Sequence, residues 1–213
     1  MSEPPRFGEG FQRELFELIR WRRDVRRFRS DPIPAAVVDE LLAAAVLAPS
    51  VGNSQPWRFV KVDDPERRAK VRASFLSSNE AALTGYRDER AQLYSSLKLA
   101  GLDQAPVQLA VFVDPDPLEG DGLGRKTMPE TVPYSAVLAI HTLWVVARAR
   151  GIGLGWVSIL DPVEMHRSLD VDEHWSFIAY LCLGVPEEEH LDPELERAGW
   201  QSRVSRGDLV IQR

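Results

Sequence analysis

The sequence predicts one α/β-type domain in which a β-sheet is covered by helices on both faces. Of the 213 residues, 44% are apolar and 27% are charged, an ordinary balance for a chain with one sizeable core. Short segments rich in β-branched and aromatic residues alternate with longer segments of helical period. This alternation predicts the layered fold, but it does not settle the direction of the strands.

The predicted helices place apolar residues three and four positions apart. They cover residues 11–21, 34–48, 65–76, 80–102 and 133–150. Proline at position 34 suits the first turn of the second helix. The predicted strands cover residues 57–62, 107–113, 156–160 and 177–183. Residues 114–133 carry several Gly and Pro residues without a period, which predicts a loop.

After Val185 the chain becomes polar, with a few large side chains such as Trp200. We interpret residues from about 186 to 213 as an arm that wraps around a partner, because the segment is too polar to form a core of its own. The whole chain, 1–213, is therefore predicted to be a single domain with a C-terminal arm.

Two features of the sequence bear on localisation. Residues 1–10 lack the basic head and apolar run of a secretory signal. The apolar segment 132–147 is interrupted by polar residues and is shorter than the ~20 residues of a membrane span. We expect a cytoplasmic protein that does not bind membranes. Cys182 is the only cysteine and lies in an apolar run, which predicts a buried thiol and no intrachain disulfide.

A cluster of arginines stands out in a chain whose net charge is −6. Its members are Arg20, Arg22, Arg23, Arg26, Arg27 and Arg29. Converging guanidinium groups can hold a phosphate dianion, which predicts a small phosphorylated ligand. Nucleic acid is a rival ligand, although the rest of the chain is acidic and shows no basic stripe with interleaved aromatics. A solvated charged face is the third alternative.

Asp24 lies inside this arginine cluster. A carboxylate flanked by arginines is expected to be held ionised, so that it can accept a hydrogen bond or a proton. The alternative is that Asp24 only pairs with a neighbouring arginine.

Residues 48–57, APSVGNSQPW, form a second group of interest between a helix and a strand. The prolines fix the backbone, and Ser50, Asn53, Ser54 and Gln55 offer donors and acceptors that suit the edge of a heteroaromatic ring. An ordinary connecting loop would show the same composition.

Glycines at positions 151, 153 and 155 precede an apolar strand. Glycine allows a backbone to approach a ligand closely. The run does not match a dinucleotide fingerprint, because its glycines follow a helix and precede a strand. Ser158 is placed inside this predicted strand and must find a hydrogen-bond partner if it is buried.

Several enzyme classes have little support. The four histidines, at 141, 166, 174 and 190, show no spacing typical of metal ligands. Neither a nucleophile elbow nor a phosphate-binding P-loop is present. We therefore expect neither a hydrolase nor a metal centre.

The motifs RRDVRRF (22–28), APSVGNSQPW (48–57) and GIGLGWVSI (151–159) together resemble the nitroreductase-like flavoprotein superfamily. Residues 133–151 and 180–188 extend the resemblance, which runs from about residue 11 to about residue 206. Within the superfamily the sequence is most similar to the 5,6-dimethylbenzimidazole synthase family. Ordinary nitroreductases usually carry serine where Asp24 stands and generally lack the Gly-Trp-Val-Ser-Ile type of segment.

The resemblance implies an α+β fold with a central, mainly antiparallel sheet between helices, an intertwined homodimer, and FMN at the dimer interface. It places arginines near the FMN phosphate, a carboxylate near the ribityl chain, and a lid over the site. The implied FMN-binding residues are Arg22, Arg23, Asp24, Val25, Arg26, Pro49, Ser50, Ser96, Leu97, Ser158 and Arg203. Among them, Pro49 and Ser50 would line the isoalloxazine, and Ser96 and Leu97 would form the lid.

The resemblance also implies a reaction in which reduced FMN is the substrate. With O2 it would be fragmented to 5,6-dimethylbenzimidazole, the lower ligand of vitamin B12, and erythrose 4-phosphate. Because one carbon of the product would come from the ribityl chain, proton transfers are required there. Asp24 is expected to act as general acid and base, and Ser158 as a positioning or relay group. A separate flavin reductase would supply reduced FMN.

Two other functions stay open. An NAD(P)H-dependent FMN nitroreductase or ene reductase would use the flavin catalytically, but Asp24 and Ser158 argue against it, because that chemistry needs an open face for a nicotinamide. A flavin-sequestering or flavin-sensing protein without turnover is the second alternative, and nothing in the sequence excludes it.

Overall fold

The computed structural model describes residues 3–97 and 100–213, and its described strands form one four-stranded sheet. The strands are β1 (Trp57–Lys61), β2 (Val107–Val113), β3 (Gly153–Val157) and β4 (Ser176–Gly184), in the order β1-β2-β4-β3. Each neighbouring pair is antiparallel. The predicted α+β architecture with an antiparallel sheet is therefore confirmed.

Helices occupy the connections between strands and both ends of the chain. They are α1 (Glu9–Trp21), α2 (Ala35–Ala45), α3 (Pro65–Leu83), α4 (Asp88–Ser96), α5 (Gly101–Gln104), α6 (Thr131–Ala149), α7 (Pro162–Leu169), α8 (Glu194–Arg197) and α9 (Arg206–Leu209). Asp64 and Asp161 cap α3 and α7 by accepting backbone N–H groups of their first turns, and a proline follows each cap.

The sheet separates two apolar cores, as the alternation of side chains along β2 shows. Leu109 and Val111 pack in the core that α2 and α6 share with the sheet. Ala110 and Phe112 point to the opposite core, where α3 and α7 cover the sheet. Since successive residues of a strand face opposite sides, a strand that is apolar at nearly every position is buried on both faces. The predicted layering with helices on both sides of the sheet is confirmed.

Cys182 lies in this second core and is 1% exposed, as its apolar surroundings predict. Burial raises the pKa of its thiol to about 12, so the thiol stays protonated at neutral pH. The long helix α6 passes a length and composition test for a membrane span, with a mean hydropathy of 1.3. It packs against the sheet and α2, which makes it a core helix of this fold.

The predicted helix 80–102 is wrong as a single element. Helix α3 continues to Leu83, and the chain then turns through Thr84 and Gly85 before α4 begins at Asp88. Arg87 has an extended backbone and Asp88 a positive φ, so the two helices cannot be continuous. The turn sets α4 against α3.

The predicted strand 156–160 is also displaced, because β3 begins at Gly153 and ends at Val157. The glycines that seemed to break the strand belong to it. A Cβ at Gly155 would overlap the Val25 carbonyl oxygen, and one at Gly153 would lie 2.8 Å from the Val25 Cγ2 atom. The close approach that these glycines allow is therefore made by the chain's own backbone at Val25.

We predict that Gly155→Ala destabilises the fold, because the new methyl group would push the Val25 backbone away from β3. Overpacking against a fixed backbone typically lowers the free energy of unfolding by about 1–3 kcal/mol. Gly151→Asn is the matched control, since Gly151 has a φ of +70° and a Cβ there meets nothing within 4 Å. Urea unfolding of both variants checks this; equal stabilities would contradict the close packing.

Candidate functional site

The site is organised by the short segment that follows α1 and lies along β3. Asp24 forms an isolated parallel bridge with Leu154, in which the Val25 N–H donates to the Leu154 carbonyl at 3.1 Å. The Trp156 N–H donates to Asp24 Oδ1 at 2.9 Å. Backbone hydrogen bonds thus fix both the main chain and the carboxylate of Asp24 at the end of β3.

The environment of Asp24 contains groups that shift the pKa of its carboxyl in opposite directions. Burial raises the pKa of this carboxyl above its usual range, and the charge of Glu194 adds to the rise. The Trp156 N–H and Arg26, whose Nε lies 3.7 Å from Asp24 Oδ2, oppose it. Arg22 and Arg26 both favour the ionised carboxylate, as expected, but burial has the larger effect and the pKa is raised overall. A carboxyl with a raised pKa can exchange a proton nearer to neutral pH.

A cavity of about 200 Å³ opens in front of Asp24. Its floor is made by Asp24, Arg26, Trp156 and Ser158, from the segment after α1 and the end of β3. Helices α3 and α4 and the C-terminal arm form the roof, with Phe75, Asn79, Tyr94, Leu97, Leu195 and Trp200. The structure therefore brings Asp24 and Ser158 to one cavity, as the resemblance implied.

Ser158 does not lie inside a strand. It follows the last residue of β3 and is exposed, so its hydroxyl needs no buried partner. The predicted placement of Ser158 inside a strand is therefore wrong, because β3 begins and ends three residues earlier than predicted. The exposed hydroxyl is available to a ligand in the cavity.

Most of the arginine cluster has structural partners. Arg20 pairs with Glu17, and Arg29 with Asp31 at 2.6 Å. Arg27 pairs with two carboxylates that lie beyond β4, Glu188 and Glu194. These pairs explain why the local excess of positive charge is tolerated.

Arg23 holds the arm in a different way. Its guanidinium donates to the backbone carbonyls of Arg20 and Arg22 and, at 2.7 Å, to that of Leu191. Burial and the charge of Arg203 lower the pKa of Arg23. Arg23 therefore ties the arm to the segment after α1.

Two further arginines, Arg22 of the cluster and Arg203 of the C-terminal arm, bear on anion binding. Within the described residues, neither has a carboxylate within 4.0 Å, and Arg22 lies 4.6 Å over the ring of Trp144. Burial lowers the pKa of Arg22, the charge of Asp24 opposes this effect, and the nearby charge of Arg203 adds to it. Two like charges held close together, neither of them in a salt bridge, favour a bound anion.

Pro49 and Ser50 lie far from Asp24 within one chain. They precede β1, at one edge of the sheet, whereas Asp24 lies beside β3 at the other edge. Three strand spacings of ~4.8 Å separate the two edges by about 14 Å. The Ser50 hydroxyl accepts the Gln55 N–H at 3.1 Å and so shapes its own loop. One chain does not bring these residues to the cavity of Asp24.

The predicted lid residues lie at the end of α4. Leu97 lines the cavity, and Ser96 is the last residue of α4, its side chain lying outside what the structure describes. The helix is attached to the arm, because the Arg90 guanidinium lies 3.8 Å over the Trp200 ring and donates to the Trp200 carbonyl at 2.9 Å. The sequence pattern pointed to Trp200 as an anchor, but it carried no signal for Asn79 or Tyr94.

Two of the histidines contact groups that lie close to them in the sequence. His166 contacts the carbonyls of Pro162 and Trp175, and His190 contacts Glu188 at 2.8 Å. Over residues 3–97 and 100–213, no group of three or more His, Cys, Asp or Glu side chains is placed to hold a metal ion.

Comparison with protein families gives one match, to the nitroreductase family, over residues 19–185. Among individual proteins, a 5,6-dimethylbenzimidazole synthase from Rhodospirillum rubrum is 57% identical over 213 residues, covering 100% of each chain. A second protein of that name, from Rhodobacter capsulatus, is 52% identical over 198 residues, covering 93% of this chain and 96% of its own.

Among solved structures, an oxidised iodotyrosine deiodinase bound to FMN and 3-iodo-L-tyrosine has the same fold. The TM-score is 0.70 at 23% identity, and the match covers 83% of this chain and 91% of the deiodinase chain. The shared fold confirms the nitroreductase-like architecture.

We predict that Asp24→Asn stabilises the fold at pH 7. The folded state binds a proton at Asp24 where the unfolded chain has already lost it, so stability falls as pH rises from about 4 through the raised pKa. Asparagine keeps the acceptor for Trp156 and removes this loss. Urea unfolding should show a gain at pH 7 that shrinks towards pH 4.

The control for this prediction is Asp39→Asn, an exposed carboxylate that pairs with Lys61 at 2.5 Å. It should show no gain at pH 7. An Asp24→Asn variant less stable than wild type at pH 7 would mean that the Arg26 pair outweighs desolvation.

Proposed function

This chain belongs to the nitroreductase family, and within it we propose that it acts as a 5,6-dimethylbenzimidazole synthase. Its reaction is the O2-dependent fragmentation of reduced FMN to 5,6-dimethylbenzimidazole and erythrose 4-phosphate. The observation that carries the proposal is the pairing of Asp24, a carboxyl with a raised pKa, with the exposed hydroxyl of Ser158 in one roofed cavity. Identity of 57% over the full length to a protein of that name supports it.

The described residues fit FMN. Arg22 and Arg203 offer positive charge without a carboxylate partner, which suits a phosphate dianion. Asp24 and Ser158 offer an acceptor and a hydroxyl to a polar chain, and Phe75, Leu97 and Trp200 line the cavity with apolar surface. When bound, reduced FMN supplies the ring carbons of the product and the electrons that O2 takes up.

The protein's own contribution is proton transfer in a closed space. The Trp156 N–H holds one oxygen of Asp24, which leaves Oδ2 beside Arg26 and the cavity. From there Asp24 can take a proton from the ribityl chain and return it, because its pKa lies above the ordinary range. Ser158 lines the same cavity, where its hydroxyl can position the ribityl chain or relay the proton. The roof from α4 and the arm limits the entry of water.

The active unit in this proposal is a homodimer with FMN between the subunits. Pro49 and Ser50 can reach a flavin beside Asp24 only if they come from a second copy, since the two lie at opposite edges of the sheet. Helix α1 supports this, because it buries none of its residues and exposes Phe11, Phe16 and Ile19. Such an apolar stripe is typical of a helix that packs on a partner.

The remaining parts of the proposal concern the cell. A separate flavin reductase would supply reduced FMN, since the cavity floor carries acid/base groups instead of an open face for a nicotinamide. We propose a cytoplasmic single domain, 1–213, with an arm at about 186–213 and without nucleic-acid or membrane partners. An NAD(P)H-dependent nitroreductase and a non-catalytic flavin binder remain the outcomes that the next experiment separates.

We expect wild-type protein, incubated aerobically with excess reduced FMN, to form 5,6-dimethylbenzimidazole detectable by mass. Asp24→Asn should lower single-turnover product formation by roughly 10² to 10⁴, the usual share of general acid–base catalysis, because the amide cannot take a proton. Reduced FMN should still bind to this variant.

Each other result assigns another function. Consumption of NAD(P)H with a nitroaromatic substrate would indicate a nitroreductase, and unchanged flavin would indicate a binding protein. A near-normal single-turnover rate in Asp24→Asn would remove Asp24 from the mechanism.

Phosphate recognition gives a further prediction. Arg22→Ala and Arg203→Ala should weaken binding of FMN much more than binding of riboflavin, which lacks the phosphate. Losing one charge-assisted contact costs ~1.5–3 kcal/mol. Arg29→Ala, which removes an exposed arginine paired with Asp31, is the control. Isothermal titration checks this, and equal losses for both flavins would place the phosphate elsewhere.

The dimer is tested by removing the arm. Deleting residues 187–213 removes the partners of Arg23 and Arg27 together with the exposed Val210 and Ile211, so both dimer and FMN affinity should weaken. Sedimentation velocity and flavin titration measure the two effects. A truncated protein that stays dimeric with unchanged FMN affinity would contradict the proposed role of the arm.

A further inference from the structure

The roof of the cavity carries a polar pair that the proposed chemistry does not use. Asn79 comes from α3 and Tyr94 from α4, and both line the same cavity as Asp24 and Ser158. The Tyr94 hydroxyl donates to Asn79 Oδ1 at 2.8 Å. The neighbouring roof residues Phe75, Leu97, Leu195 and Trp200 are apolar, so this pair is the polar feature of the roof.

Neighbouring aromatic rings pack against Tyr94 and hold it in position. The Tyr94 ring stacks on Tyr86 with centroids 4.8 Å apart, and Trp200 packs against both rings. Burial raises the pKa of Tyr94, so its hydroxyl stays protonated and acts as the donor to Asn79. Tyr94 therefore fixes which end of the Asn79 amide is occupied.

The other end of that amide is unused. An asparagine side chain has one acceptor oxygen and an NH2 group with two donors. Oδ1 accepts from Tyr94, and over residues 3–97 and 100–213 the Nδ2 group has no recorded hydrogen bond. Asn79 is half-buried and lines the cavity, so its NH2 group is available to an acceptor on a bound ligand.

The cavity thus has an acceptor on its floor and a donor in its roof. Asp24 contributes carboxyl oxygens to the lining and Asn79 an amide NH2 group. Adjacent hydroxyl groups of a sugar-alcohol chain suit such a pair, because every hydroxyl both donates and accepts.

The geometry points to Asn79 as a substrate-binding residue whose amide N–H donates to a ribityl oxygen of reduced FMN, with Tyr94 as a positioning residue that acts through Asn79. This inference rests on the proposed function for the identity of its ligand. Asn79 would give the ribityl chain a second hydrogen-bonding residue besides Asp24. Together the two residues would keep the chain close to the carboxyl.

The test compares two neutral flavins that differ only in the chain: riboflavin, and lumiflavin, which carries a methyl group in its place. Asn79→Asp keeps the acceptor for Tyr94 but removes the N–H donors. We expect it to weaken riboflavin binding about tenfold, the equivalent of one hydrogen bond, and lumiflavin binding less than about twofold. Flavin fluorescence quenching gives both constants.

Tyr94→Phe tests the positioning role. It should weaken riboflavin binding by about threefold in the wild-type background and have no effect in the Asn79→Leu background, because Tyr94 acts only through the amide. Ser77→Ala, an exposed residue of α3 outside the cavity, is the control and should bind both flavins as wild type does.

Three outcomes would overturn the inference. Normal riboflavin binding by Asn79→Asp would make the pair a purely structural contact between α3 and α4. Equal loss of riboflavin and lumiflavin would place the amide on the ring. An undiminished effect of Tyr94→Phe in the Asn79→Leu background would separate the two residues. Since these are binding measurements, they decide the inference even if the wild type forms no 5,6-dimethylbenzimidazole.

Discussion

The site depends on the contact between the backbone at Asp24 and Val25 and the edge strand β3. The Val25 N–H bonds to Leu154, and the glycine at 155 leaves room for the Val25 carbonyl. Phe28, 1% exposed, then anchors the segment in the core. Because both ends of this stretch are held, the position of the Asp24 carboxyl is fixed. The arginines on either side of it contact different partners.

With this segment fixed, the arginines of the cluster have two different roles. Arg23 and Arg27 hold the C-terminal arm against the domain, through the Leu191 carbonyl and through Glu188 and Glu194. Arg22 is left without a carboxylate partner among the described residues and lies close enough to Arg203 for their charges to interact. A single short motif therefore supplies one arginine of the proposed phosphate site and also holds the arm that carries the other.

The secondary-structure elements that depend on local sequence were predicted correctly. The strands β1, β2 and β4 and most helices followed from β-branched runs, helical period and capping residues. The predicted position of β3 was wrong by three residues, because its glycines are explained by close contact with Val25, which is distant in sequence. The Asp24 pKa and the Asn79–Tyr94 pair were out of reach for the same reason, since burial and contacts across the cavity depend on the packed chain. The predicted contacts at Pro49 and Ser50 stay predictions, because they require a second subunit.

The attachment of α4 to Trp200 has a dynamic consequence. The helix packs on α3, but Arg90 and the aromatic rings of Tyr86 and Tyr94 fasten it to the arm. A shift of α4 alone would break its contacts with the arm, so the two segments are expected to move together. The position of α4 therefore depends on a segment more than a hundred residues away in the chain, and local unfolding of the C-terminus is expected to loosen the helix as well.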